Sequence, residues 1–177
     1  LVPGHFSMWI GLALNYVLYM LTLVLLYKLA MLLFESRLNA VCTVLLYGLS
    51  VIGLSTMLMI RMYVLITLLS VLLAYLIARL MREKKPVLYV LVGVTVFAGL
   101  MTQYYFVFYA FFVCLAYDIR ALVKKDWRGF AAFSAAALIG ALCLLPAFPA
   151  CLDQLFADAL VSGGNAVDNL MSFGQYK

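Results

Sequence analysis

A chain of 177 residues that is 68% hydrophobic and only 11% charged lies far outside the balance of a soluble globular domain. Its length therefore counts membrane spans, about 20 apolar residues each, more usefully than domains. The formal charge of +5 is carried in short loops and not on a soluble basic face interleaved with aromatics, which argues against nucleic-acid binding.

The expected fold class is all-α, a polytopic transmembrane helix bundle of about six spans, because charges near a bilayer centre are costly and mark the breaks between spans. The first span covers residues 6–34 and ends at Glu35, Ser36 and Arg37. The second covers 38–57 and ends short of Arg61, and the third covers 62–81. After Arg82, Glu83, Lys84, Lys85 and Pro86 comes a short fourth span, 87–101, and the polar pair Thr102 and Gln103 separates it from a fifth, 104–123. The basic loop from Lys124 to Arg128 leads into a sixth, 129–148, which Pro146 and Pro149 stop by removing backbone donors. Residues 1–149 thus form the transmembrane core and 150–177 an external amphipathic segment and loop.

Orientation follows from lysine and arginine, which are in excess in short cytoplasmic loops. Lys28, Arg37, Arg79, Arg82, Lys84, Lys85, Arg120, Lys124, Lys125 and Arg128 fall on one side, which is expected to be cytoplasmic, and only Arg61 and Lys177 on the other. Any chemistry is therefore expected at the external surface of a multi-pass protein of the cell membrane. The start Leu-Val-Pro-Gly has no basic n-region or cleavage pattern, and the polar end suits a loop leading to a further span. The chain reads as a fragment with both ends external.

Cys42, Cys114, Cys143 and Cys151 occur singly, with no CxxC and no histidine at metal-ligand spacing, and read as packing residues. No cofactor motif is evident. Ala132, Ala136 and Gly140, four apart, would let a neighbouring helix approach closely. Gly48 and Gly53, and Gly93 and Gly99, have the same reading.

Two stretches carry candidate site residues. In IRMY, Arg61 is a lone cation at the external start of the third span. It either snorkels to lipid phosphates as an anchor or grips a substrate phosphate or carboxylate with its guanidinium fork. In GLMTQYYFVFYAFF, residues 99–112, the polar step Thr102, Gln103 and Tyr104 interrupts an aromatic-rich run. An interfacial aromatic belt explains the tyrosines, while the Gln103 amide serves either exposed backbone groups or a substrate.

IRMYVLITLLSVLLAYLIARL followed by GLMTQYYFVFYAFF resembles the membrane core of bacterial glycosyltransferases related to the protein O-mannosyltransferase family, within the glycosyltransferase C-type superfamily. Such proteins show an ARMY-like and a THYF-like motif at external helix ends; here Ile60 replaces the alanine of the first and Gln103 the histidine of the second. The likeness covers residues 38–112. It implies an enzyme that passes a sugar from a polyprenyl-phosphate donor to a protein, lipid or glycan acceptor outside the cytoplasm. Arg61 and Tyr63, with Gln103 and Tyr104, are carried over as substrate-binding residues. The resemblance places the acidic catalytic residue in a loop ahead of Leu1, of which His5 is either the last part or an ordinary loop histidine, and leaves the need for a divalent metal open.

The alternative is a non-catalytic transporter or a subunit handling a lipid-linked intermediate, for which inverted repeats with broken helices would argue. Between residues 151 and 161 apolar residues recur at helical spacing, a face suited to the membrane surface. Asp153 and Asp158 then sit on its polar side, either solvated or in contact with acceptor or metal.

Overall fold

The computed structural model describes residues 8–59 and 61–147; His5, Ile60 and the whole 151–161 segment lie outside the described residues. The chain divides into two compact units, residues 1–141 and 142–177. In chain order the helices are α1 (Met8–Phe34), α2 (Arg37–Gly48), α3 (Val51–Leu58), α4 (Tyr63–Leu80), α5 (Pro86–Thr102), α6 (Phe106–Val123), α7 (Trp127–Leu142) and, in the second unit, the single turn α8 (Leu144–Ala147). Among the described residues there is no strand.

The long helices form because their interiors are leucine-, valine- and alanine-rich and the breakers sit at their ends. α1, at 27 residues, is about 40 Å long at 1.5 Å per residue, more than the roughly 30 Å hydrocarbon core. Pro86 opens α5 at its first turn, where its missing N–H costs nothing. Hydroxyls inside the spans bond back to carbonyls one turn earlier: Thr22 to Leu18, Thr67 to Tyr63, Ser70 to Ile66 and Thr95 to Leu91. That habit keeps polar side chains satisfied without water.

Four stretches are long and apolar enough to cross a membrane: Trp9–Phe34, Tyr63–Leu80, Phe106–Val123 and Trp127–Ala147. Large apolar side chains such as Trp9, Val51, Leu46, Phe108 and Val123 point outward, as they do when lipid is the solvent. The protein is a multi-pass membrane protein. α5, at 17 residues, is one short of α4 and α6 and is an apolar helix of marginal length.

The second expected span is corrected: it is not one helix. α2 and α3 meet at a 56° bend, so the continuous crossing expected over 38–57 is a broken pair, and the count of crossing segments is four, or five with the pair taken as one. The physical reason is local. Gly48 ends α2, and Ser50 starts α3 afresh by accepting the Gly53 N–H on its hydroxyl at 3.0 Å, a capping interaction. Tyr19 of α1 donates its hydroxyl to the Gly48 carbonyl at 2.7 Å, and Ser50 donates to Tyr47 at 2.7 Å. A helix breaks inside lipid only where such partners satisfy the freed groups.

In the first unit α1 packs chiefly against α4 and α2, and α4 against α5 and α6. Glycines mark the closest approaches. A Cβ on Gly93 of α5 would lie 2.7 Å from the Ala136 carbonyl oxygen, and one on Gly140 would run into the Gly93 backbone. The small-residue row of α7 therefore does meet α5 backbone to backbone, through Ala136 and Gly140. Of the described cysteines, Cys114 is half-buried while Cys42 and Cys143 are exposed, and Cys151 lies outside the described residues.

Candidate functional site

α4 and α5 are neighbouring helices joined by the short loop 81–85, so they run in opposite directions. The start of α4, with Arg61 and Tyr63, and the end of α5, with Gln103 and Tyr104, consequently lie at the same end of the bundle. All four are at one rim although the two motifs stand some forty positions apart in sequence.

Arg61 sits in the link between α3 and α4. α3 ends at Leu58 and its cap, Met59, is extended. The Met59 carbonyl accepts two donors, the Arg61 backbone N–H at 2.8 Å and the Asn15 side-chain amide at 2.6 Å. The same amide reaches the Met57 carbonyl at 3.3 Å. Asn15 is buried in α1 and supplies the donors that the last carbonyls of a helix otherwise lack. Nothing in the sequence reading singled it out, although a lone amide in the apolar run LALNYVL is the kind of intramembrane polar residue that marks a function or a join.

The Arg61 guanidinium is exposed, and among the described residues no carboxylate pairs with it. Its Nη1 faces the Tyr63 hydroxyl at 3.5 Å, the outer limit of a hydrogen bond. An apolar slot of about 360 Å³ opens between α1 and α3, lined by Trp9, Leu12, Tyr16, Val17, Met57 and Leu58. Leu58 precedes Arg61 by three residues, so charge and slot adjoin along the chain.

At the end of α5, Gln103 takes an extended conformation, its N–H bonded to the Gly99 carbonyl and its own carbonyl accepting the Phe106 N–H at 3.1 Å. The turn is locked by packing: the Phe106 ring, 3% exposed, fills the notch over Gly99, where any Cβ would collide with it. Gln103 is half-buried and Tyr104 exposed. His5, the remaining candidate, and Asp153, Asp158 and Asp168 lie outside the described residues. Among the described residues no group of three or more histidine, cysteine, aspartate or glutamate side chains could hold a metal ion.

A second residue missed by the sequence reading is Asp118, inside α6. Its carboxylate accepts the Ser134 hydroxyl of α7 at 3.1 Å, at the wall of a cavity of about 360 Å³ that is otherwise apolar. The signal was an acid well inside an apolar segment, two residues before Arg120.

At the opposite end Glu35, Glu83 and Asp126 are each paired with a cation. Arg82 bridges to Glu35 at 2.7 Å and to the Leu32 carbonyl, fastening the α4–α5 loop to the end of α1. Glu83 accepts from Lys85 at 2.7 Å and Arg79 at 3.0 Å, and the Lys85 ammonium, then the guanidinium, hold its carboxyl below the usual range. Asp126 pairs with Lys84 and accepts the Gly129 N–H at 3.3 Å. The lysine, chiefly, keeps its carboxyl low as well.

Comparison with known proteins adds no relative: no family model, no curated protein and no solved structure matches the chain.

Proposed function

We propose that the protein is a glycosyltransferase of the cell membrane that moves a sugar from a polyprenyl-phosphate carrier to a protein, lipid or glycan acceptor on the external face, with the Arg61 rim as the donor-phosphate end. The observation that carries this reading is the exposed Arg61 guanidinium, unpaired with any carboxylate among the described residues, on a turn held by Asn15 and three residues along the chain from Leu58 in the wall of an apolar slot. A polyprenyl phosphate is one charged group on a long apolar tail, and a guanidinium fork with an apolar slot a few residues away along the chain suits both parts. The Gln103–Tyr104 turn at the same rim supplies an amide and a phenol for sugar hydroxyls. This matches the resemblance of IRMY and TQYYF to the family motifs.

In the transfer, a carboxylate base takes the proton of the acceptor hydroxyl, whose oxygen bonds to the anomeric carbon as the bond from that carbon to the carrier phosphate breaks. Arg61 neutralises the charge that grows on the leaving phosphate. The resemblance places the base ahead of Leu1.

The break between α2 and α3 favours a second reading, a transporter or a subunit handling a lipid-linked intermediate, because transporters build their sites at broken helices. One experiment separates the two: transfer from radiolabelled polyprenyl-phosphate sugars by the full-length protein in detergent, run beside carrier binding. Transfer that collapses in Arg61→Ala while the protein stays folded supports the enzyme and the arginine's role. Carrier binding without transfer to any acceptor supports the second reading, and neither binding nor transfer overturns both.

A further inference from the structure

The end of the bundle opposite Arg61 holds a cavity of about 260 Å³ between the end of α4, the loop after it and the last turn of α6. Its floor is apolar and closed, made by Leu80, Tyr117 and Ala121, all buried. Its rim is charged: Lys84, Arg120 and Lys124 converge on it, with Asp126 as the one acid.

Positive-inside bias and the favourable placing of cations at a helix C-terminus account for basic residues at this end. They do not account for three of them gathering around one cavity. The described acids at this end are already engaged: Glu35 with Arg82, Glu83 with Arg79 and Lys85, and Asp126 with Lys84. Among the described residues Arg120 and Lys124 therefore have no acid partner. Arg120 in the last turn of α6 and Lys124, its cap residue, are also four residues apart, a spacing at which like charges repel. An anion between them would relieve that repulsion and complete the guanidinium's donors.

We propose that this cavity binds the phosphate of an anionic phospholipid, with Arg120 and Lys124 as the gripping pair, Lys84 as the third corner, and the Leu80–Tyr117–Ala121 floor against the glycerol end of the lipid. The source is a lipid and not a soluble anion because the cavity lies where apolar helices give way to charged loops, the level at which headgroups meet a membrane protein, and because Leu80 and Ala121 make much of its floor apolar. This site is independent of the Arg61 rim and stands or falls separately from the proposed activity.

The test is native mass spectrometry of the full chain from detergent, with phosphatidylglycerol, phosphatidylcholine of the same chains, or inorganic phosphate added. The proteins compared are wild type, Arg120→Gln with Lys124→Gln, the charge-keeping Arg120→Lys with Lys124→Arg, and a control, Lys28→Gln with Arg37→Gln, which removes two cations of the same end. The expected result is at least fivefold tighter binding of phosphatidylglycerol than phosphatidylcholine by wild type, the charge-keeping variant and the control, and loss of that preference in the first variant. Circular dichroism of that variant in phosphatidylcholine micelles shows whether it folds; should it not, single Arg120→Gln and Lys124→Gln proteins, each expected to lose part of the preference, take its place. Equal binding of the two lipids, equal loss in the control, or inorganic phosphate displacing the lipid at matched concentration would each overturn the proposal.

Discussion

The Asn15 side chain of α1 donates to the Met59 carbonyl at 2.6 Å, and through that carbonyl, shared with the Arg61 N–H, it fixes the turn that carries the arginine. A side chain 44 residues away in sequence thus sets the position of the candidate phosphate-binding group. Asn15→Leu keeps the branched shape, with somewhat more bulk, and removes the donors. It should destabilise the protein by about 1 kcal/mol, the scale of interhelical hydrogen bonds in membranes, and lower transfer more than stability alone explains. Unfolding in mixed micelles and turnover at a temperature where both proteins are folded measure the two effects.

Arg61→Ala should lower turnover by about 10²- to 10³-fold, the cost of removing one preorganised donor to a developing charge. Arg61→Lys should recover only part of it, since an ammonium lacks the bidentate fork. Tyr63→Phe should change turnover by less than about threefold, because at 3.5 Å its hydroxyl holds the guanidinium weakly. A phenylalanine effect as large as the alanine effect at Arg61 would mean that Tyr63 touches substrate directly.

Gly140→Ala should destabilise by roughly 1–3 kcal/mol, the range for overpacking, because the added methyl meets the Gly93 backbone, which cannot rotate away. Thermal unfolding in one detergent measures it. An unchanged midpoint would mean that α5 and α7 separate at little cost.

The same glycines show how much was legible in the sequence. Spacing alone disclosed that Ala136 and Gly140 share a face and that some backbone comes close, and charge placement located the ends of α1, α4 and α6 to within a few residues. What spacing did not disclose were events set by a partner across the bundle. The stretch 38–57 holds its own break signals in Gly48 and Ser50, but these do not by themselves end a span, and the Tyr19 hydroxyl that satisfies the Gly48 carbonyl comes from 29 residues away. Of the site, the gathering of Arg61, Tyr63, Gln103 and Tyr104 at one rim was legible from span order. The role of Asn15 was not, since one amide in an apolar run does not name its acceptor.

Asp126 caps α7 while pairing with Lys84, and its lowered pKa fixes the sign of a pH effect. A carboxyl that is more acidic folded than unfolded contributes stability above its unfolded value, and that contribution is lost as pH falls through the lower, folded one. Trp127, next in sequence, reports on it. In a Trp9→Phe background the emission of Trp127 should change with a midpoint below the ordinary aspartate value of about 3.9, and Asp126→Asn should abolish the transition. Glu83, also held low, should add to the loss of stability over the same acid range without moving the Trp127 signal.

Lys125 ends α6 in a left-handed conformation, φ 55°. Its N–H bonds the Leu122 carbonyl while the Asp126 N–H reaches back to Ala121 at 2.9 Å, the double closure in which glycine is the usual residue. A lysine there carries the Cβ crowding that glycine avoids, on the order of 1 kcal/mol. Lys125→Gly should therefore raise the unfolding midpoint, which is the opposite of what removing a loop cation would do if that charge stabilised the fold. Lys125→Ala separates the causes, because it removes the charge and keeps the strain: it should leave the midpoint where it is in wild type. A rise with alanine equal to that with glycine would assign the gain to relieved repulsion with Lys124 and not to the backbone.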